Sequence, residues 1–123
     1  MKTILVVDDS PLIRKAIRRI IEPMGFDVAE AGDGVDAMGR MEAGPAPDAI
    51  LLDVEMPEMD GLTFLKQLRG RPDLPQPPVI MCTTVHAMAT IAEAIQSGAN
   101  EYVMKPFNEA IIGDKLEGIG LVA

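Results

Sequence analysis

Five polar residues of this chain have the types and positions to do chemistry: Asp8, Asp9, Asp53, Thr83 and Lys105. They lie far apart in sequence, yet each closes a short apolar run. TILVV runs into Asp8-Asp9, AILL into Asp53, VIMC into Thr83-Thr84 and YVM into Lys105. Runs that short and that apolar read as strands buried on both faces, as in a parallel sheet. Parallel strands bring their C-terminal ends to one edge, and open α/β sheets bind ligands there. Three carboxylates, one hydroxyl and one ammonium are therefore expected in a single crevice.

Three acids held together repel one another, so such a site is costly unless a cation neutralises it. A hard divalent ion with oxygen ligands, Mg²⁺ above all, suits carboxylates plus water and keeps positions open for phosphate oxygens. Lys105 adds a mobile positive charge, and the Thr83 hydroxyl can donate to another phosphoryl oxygen. Phosphoryl transfer needs mainly positioning and charge neutralisation. Asp53 is the natural nucleophile, because carboxylates can form an aspartyl phosphate. Taken singly, each residue has a plainer role. A strand-end Asp usually serves a turn or cap, Asp8-Asp9 favours the positive end of a following helix, Thr83 is a β-former and Lys105 a solvated charge. Their common place at strand ends is what favours the shared site.

The elements that must position them alternate along the chain. Ser10 before Pro11 starts a helix well, with Ser at the N-cap and Pro at the first helical position. Apolar residues at Ile13, Ala16, Ile17, Ile20 and Ile21 keep helical spacing up to Met24-Gly25. Residues 26–31 read as a second strand. Val35, Ala37, Met38 and Met41 mark a second helix weakened by Gly39, and Gly44-Pro45-Ala46-Pro47 breaks the chain before the central strand. A third helix follows Met59-Asp60-Gly61, a stiff proline-rich loop covers 69–78, and residues 79–84 form the fourth strand. Residues 87–96 read as a fourth helix and 102–104 as a fifth strand. Glycines at 113, 118 and 120 are expected to leave the last helix short or frayed. Alternating strands and helices imply parallel βαβ units, hence an α/β fold with helices on both faces of one sheet.

The bulk composition narrows the function. At 123 residues, 48% of them apolar, the chain is one domain with room for a core. No apolar run approaches the roughly 18 residues of a membrane span, and no signal-peptide pattern follows Met1-Lys2-Thr3. The single cysteine, Cys82, excludes an internal disulfide and points to a reducing, cytoplasmic setting; it reads as plain core. A net charge of -8 argues against nucleic acid and membrane surfaces. With no Trp and one Tyr there is no platform for stacking bases. A protein or a small ion is the expected partner.

Asp8-Asp9, the block Leu52-Asp53-Val54-Glu55-Met56-Pro57 with Met59-Asp60-Gly61, Thr83, and Lys105-Pro106 together resemble the receiver domain of bacterial two-component response regulators. The resemblance spans the whole chain, 1–123, as one receiver domain with no effector domain. It implies the flavodoxin-like, CheY-like fold: five parallel strands in the order 2-1-3-4-5. Residues 98–107 and the Gly120-Leu121-Val122 ending are similar to stand-alone chemotaxis CheY proteins of the alphaproteobacterial kind.

By position, the resemblance makes Asp53 the phosphoacceptor. It puts Mg²⁺ on Asp8, Asp9, Asp53 and the backbone carbonyl of Glu55, and the phosphoryl group on Thr83 and Lys105. Tyr102 falls at the family's switch aromatic, and the Lys105-Pro106 bond is expected to be cis. The implied donor is a CheA-like sensor histidine kinase and the implied target a protein such as the flagellar motor switch, with the regulator a monomer. The chain would not be an enzyme beyond its own phosphoryl transfer and hydrolysis at Asp53. Phosphorylation adds about -1.5 to -2 of charge, so Thr83 and Lys105 would be drawn to it and a two-state surface biased.

Three other readings stand beside that one. A phosphate sink would drain a kinase without an output partner. An Asp-nucleophile phosphatase would use Asp53-Val54-Glu55 as its acid pair, but needs a substrate-covering cap for which no residues remain. A flavodoxin-like cofactor binder would need a phosphate-cradling loop after the first strand, where Asp8-Asp9 stands instead. Val85, two past Thr83, offers no polar group to place a water, so slow hydrolysis is expected. His86 reads as solvated at a helix start.

Overall fold

A computed structural model describes residues 1–121; Val122, part of the chain ending noted above, lies outside the described residues. Five strands, β1 (Thr3–Val7), β2 (Asp27–Ala31), β3 (Ala49–Asp53), β4 (Val79–Thr83) and β5 (Glu101–Met104), form one sheet in the order β2-β1-β3-β4-β5. Every pairing is parallel, with Val7 beside Leu52, Asp53 beside Cys82 and Thr83 beside Met104. The expected fold class and strand order are both observed. Helices α1 (Pro11–Ile21), α2 (Gly34–Ala43), α3 (Gly61–Arg69) and α4 (Ile91–Gln96) connect the strands, and α5 (Glu109–Gly118) follows the last of them.

Strand alternation divides the core in two. Leu5, Val7, Ile50, Leu52 and Met81 face α2, α3 and α4, where Met41, Phe64, Leu65 and Ile91 meet them. Ile4, Val6, Leu51, Ile80 and Cys82 face α1 and α5, against Ile17, Ile21, Ile112 and Leu116. Every residue of β3 is buried, which is why its sequence is apolar up to the carboxylate. Burying a Leu or Ile side chain contributes about 1.5–3 kcal/mol, so this double-faced core can carry the cost of a buried acid at its edge.

The helices start where small polar side chains satisfy free backbone N–H groups. Ser10 accepts from Ile13 as expected, and Asp33, Asp60 and Asn108 cap α2, α3 and α5 in the same way. α1 ends at Ile21, earlier than the Met24-Gly25 end the sequence suggests, and a 3-10 turn over Glu22–Met24 carries the chain on to Gly25, which takes a positive φ as Gly98 does just past α4.

Two further expectations need correction. The fourth helix is not continuous over 87–96: Val85–Thr90 is a 3-10 helix, and only Ile91–Gln96 is α-helical. Thr84 makes no side-chain cap there, and Val85, His86 and Thr90 have low helix propensity, so the first turns wind with i→i+3 bonds such as Ala87 N–H to Thr84 carbonyl (3.1 Å). The last helix is also not short. It runs ten residues, as long as α2, because Ile112 and Leu116 anchor it to the sheet despite Gly113 and Gly118. Among the described residues no helix is long and apolar enough to cross a membrane.

Candidate functional site

Asp53 is the last residue of β3, and its backbone is gripped from both sides. The Val54 N–H donates to the Cys82 carbonyl of β4 (3.2 Å), and the Gly61 N–H donates to the Val54 carbonyl (3.0 Å). The start of α3 therefore sits directly against the acid. Residue Gly61 is required there: a Cβ would lie 2.1 Å from the Asp53 carbonyl oxygen. Between them the loop turns at Glu58, whose φ of 64° lies in the left-handed region.

The Asp8 side chain is almost wholly enclosed. Its Oδ1 accepts from the Ser10 N–H (3.0 Å), and its Oδ2 from the Lys105 ammonium (2.7 Å). Arg14 fixes the backbone from below, donating to the Asp8 carbonyl at 2.6 Å while pairing with Glu30 of β2 at 2.9 Å. Asp9, by contrast, is exposed. Carboxylate oxygens of Asp8, Asp9 and Asp53 all lie within 4.8 Å of one another, an arrangement that could hold a metal ion.

Lys105 crosses from the end of β5 to this cluster. Its backbone N–H donates to the Thr83 carbonyl (2.7 Å), and its ammonium reaches both Asp8 and Asp53 Oδ1 (3.0 Å). The peptide bond to Pro106 is cis. Burial opposes the ammonium charge, but the hydrogen bonds it donates to Asp8 and Asp53 outweigh that and raise the Lys105 pKa above its ordinary value. Burial raises the Asp53 pKa and outweighs the opposing pull of Lys105, with Asp8 and Asp9 adding repulsion. The buried Cys82 thiol beneath the site is pushed up to about 12 by the same desolvation, so it is inert core, as expected from sequence.

A pocket of about 180 Å³ opens beside Asp53, lined by Val54, Glu55, Thr83, Thr84 and Lys105. Thr83 is 1% exposed, and its hydroxyl donates to the Thr84 carbonyl at 3.0 Å. The structure thus gathers Asp8, Asp9, Asp53, Thr83 and Lys105 at one sheet edge, with Glu55 at the rim. Tyr102 lies one strand-face away, half-buried against the α4-side core. His86 is exposed. Sequence reasoning missed Arg14, because an Arg between apolar helix positions reads as a solvated charge.

The sequence pattern described as response regulator receiver domain matches residues 4–117. The chain belongs to that family. The chemotaxis protein CheY1 of Helicobacter pylori is 36% identical over 115 residues, 93% of each chain. Among solved structures, the chemotaxis protein CheY4 of Vibrio cholerae has a TM-score of 0.87 and 31% identity, covering 97% of this chain and 98% of its own. The response regulator TrrA of Thermotoga maritima, solved in complex with Mg(2+)-BeF, has a TM-score of 0.83 and 30% identity over 97% of this chain and 99% of that one. This is a CheY-like receiver with chemotaxis relatives. Receivers accept a phosphoryl group on an aspartate, and a partly buried acid beside a lysine and two further carboxylates is consistent with that activity.

Proposed function

We propose that this receiver is a phosphorylation switch of the chemotaxis type, with Asp53 as its phosphoacceptor. The observation that carries the reading is the pairing of the Asp53 carboxylate with the Lys105 ammonium at 3.0 Å, within 4.8 Å of Asp8 and Asp9. The donor is a phosphohistidine on a CheA-like sensor kinase. An Asp53 oxygen forms the new P–O bond as the P–N bond breaks, and the departing imidazole takes up a proton. Lys105 and the Thr83 hydroxyl hold the phosphoryl oxygens, and Pro106 shapes the turn that brings Lys105 in.

The three carboxylates fit Mg²⁺, whose charge they share between them; the Glu55 backbone carbonyl completes the proposed ligand set. When bound, Mg²⁺ neutralises charge on the phosphoryl oxygens. Thr83 must leave the Thr84 carbonyl to meet the phosphoryl group, and Tyr102 follows it inward. That movement changes the surface of α4, β5 and α5 and sets the affinity for a protein target, such as a flagellar motor switch component. On this reading the protein acts alone as a cytoplasmic monomer, with no activity beyond its own phosphorylation and dephosphorylation.

The test is an amide NMR spectrum with Mg²⁺, before and after beryllofluoride, a mimic of the aspartyl phosphoryl group, beside an Asp53→Ala control. Shifts that begin at Asp53, Thr83 and Lys105, spread to Tyr102 and α4, and vanish in the control are expected. Shifts confined to the pocket would favour a phosphate sink. An unresponsive wild-type spectrum would overturn the receiver site itself.

A further inference from the structure

At the far edge of the sheet, one cation ties α5 to the ring of Tyr102. The Lys115 ammonium lies 5.6 Å from the centroid of that ring, within the range of a cation–π attraction. The same ammonium pairs with Glu101 Oε1 at 3.2 Å. That carboxylate oxygen in turn accepts the backbone N–H of Tyr102 at 3.0 Å. Ring, ammonium, carboxylate and backbone therefore close on one another around a single residue of β5.

The placement matters because the two partners belong to opposite faces. Tyr102 packs against the core beneath α2, α3 and α4, whereas Ile112 and Leu116 of α5 pack on the other side. Lys115 reaches round the edge strand to touch a ring that otherwise belongs to the α4 side. An ion pair this exposed, with about a third of each side chain open to solvent, contributes little to folding stability. Its consequence lies in where it holds the ring.

We propose that Lys115 is a positioning residue that holds Tyr102 in its present half-buried place and so sets the threshold for switching. The proposal rests on the reading of Tyr102 as the switch aromatic. When the ring turns toward Thr83 it leaves the ammonium behind, so the attraction favours only the resting state. A contact made in one of two states shifts their ratio by its own free energy and no more. For an exposed cation–π contact that is about two- to fivefold.

The chain gives a direct readout, since it has one Tyr and no Trp: its tyrosine fluorescence comes from Tyr102 alone. The experiment titrates beryllofluoride at fixed Mg²⁺ into the wild type, Lys115→Met and Lys115→Arg, following that fluorescence and the Tyr102 ring protons. Met keeps an apolar stem without the charge, and Arg keeps the charge. Half of the Tyr102 response is expected at about two- to fivefold less beryllofluoride in Lys115→Met, and at the wild-type concentration in Lys115→Arg. An unchanged midpoint in Lys115→Met would overturn the proposal. Equal shifts in both variants would overturn the assignment to the cation. If Tyr102 fails to respond even in the wild type while amides near Asp53 shift, the switch reading itself fails and takes this proposal with it.

Discussion

Gly61 approaches the carbonyl of Asp53 more closely than any other residue type could, since a Cβ there would stand 2.1 Å from the oxygen. The neighbouring backbone cannot yield easily, because Val54 is bonded both to Cys82 and to Gly61. Gly61→Ala is therefore expected to push the start of α3 away from the acid. The cost should be about 1–3 kcal/mol, measured by urea denaturation. Beryllofluoride binding should fall as well, because Asp53 itself is displaced. A variant with wild-type stability and binding would mean that the loop relaxes freely.

Lys105 is the only cation within hydrogen-bonding distance of both Asp8 and Asp53 among the described residues. Removing it leaves two buried carboxylates facing each other. Lys105→Met should cost about 3 kcal/mol at neutral pH. The pH dependence follows from its raised pKa. The folded state binds the Lys105 proton more tightly than the unfolded chain, so the stabilisation is full below the ordinary value of 10.5 and fades as pH rises through the raised one. The difference between wild type and variant should therefore shrink above pH 10.5. A gap that stays constant through that range would show that the ammonium's charge is not its source.

The acid itself has the opposite linkage to the usual stabilising carboxylate. Its folded pKa is raised from 3.8 chiefly by burial. From pH 3.8 up to the raised value the folded state holds more protons than the unfolded one, so stability falls as pH rises through that window and stays lower beyond it. Asp53→Asn removes that penalty. The variant is expected to be more stable than wild type at neutral pH, with the advantage narrowing as the solution is acidified through the window. Denaturant midpoints at several pH values would measure it. An Asn variant less stable than wild type at neutral pH would contradict a buried, strained charge.

Much of this arrangement is legible in the sequence, for a physical reason. A strand buried on both faces must be apolar, so a polar residue where it ends is conspicuous, and Asp8, Asp53 and Thr83 stand there, at the ends of β1, β3 and β4. Lys105 differs, because it follows the edge strand β5, where only Val103 is buried and Glu101, Tyr102 and Met104 are half-buried. The order of the strands is a different matter. Nothing in the local pattern says that β1 lies between β2 and β3, and only the resemblance to receivers supplied it. Asp60 and Asn108 could have been read as caps from their residue types alone. The Arg14 bond to the Asp8 carbonyl could not, since it depends on how α1 crosses the sheet. Residues 87–90 read as the start of an α-helix because their small-residue pattern fits either winding, and the structure shows them as part of the 3-10 helix Val85–Thr90.

Asp9 offers the cleanest test of the metal assignment, because it is exposed and its replacement should not disturb the core. Its carboxylate lies within 4.8 Å of those of Asp8 and Asp53, and one ammonium already offsets part of their charge. Adding a divalent ion to the folded state alone should stabilise it by mass action, by about 2.7 kcal/mol when Mg²⁺ exceeds its dissociation constant a hundredfold. For a domain of this size that is a rise in Tm of about 10 °C. Asp9→Asn should fold normally and lose most of that rise. A chelator should return the wild type to the level of the variant. If the wild type melts at the same temperature with and without Mg²⁺, the three carboxylates are not a magnesium site, and Lys105 alone balances their charge.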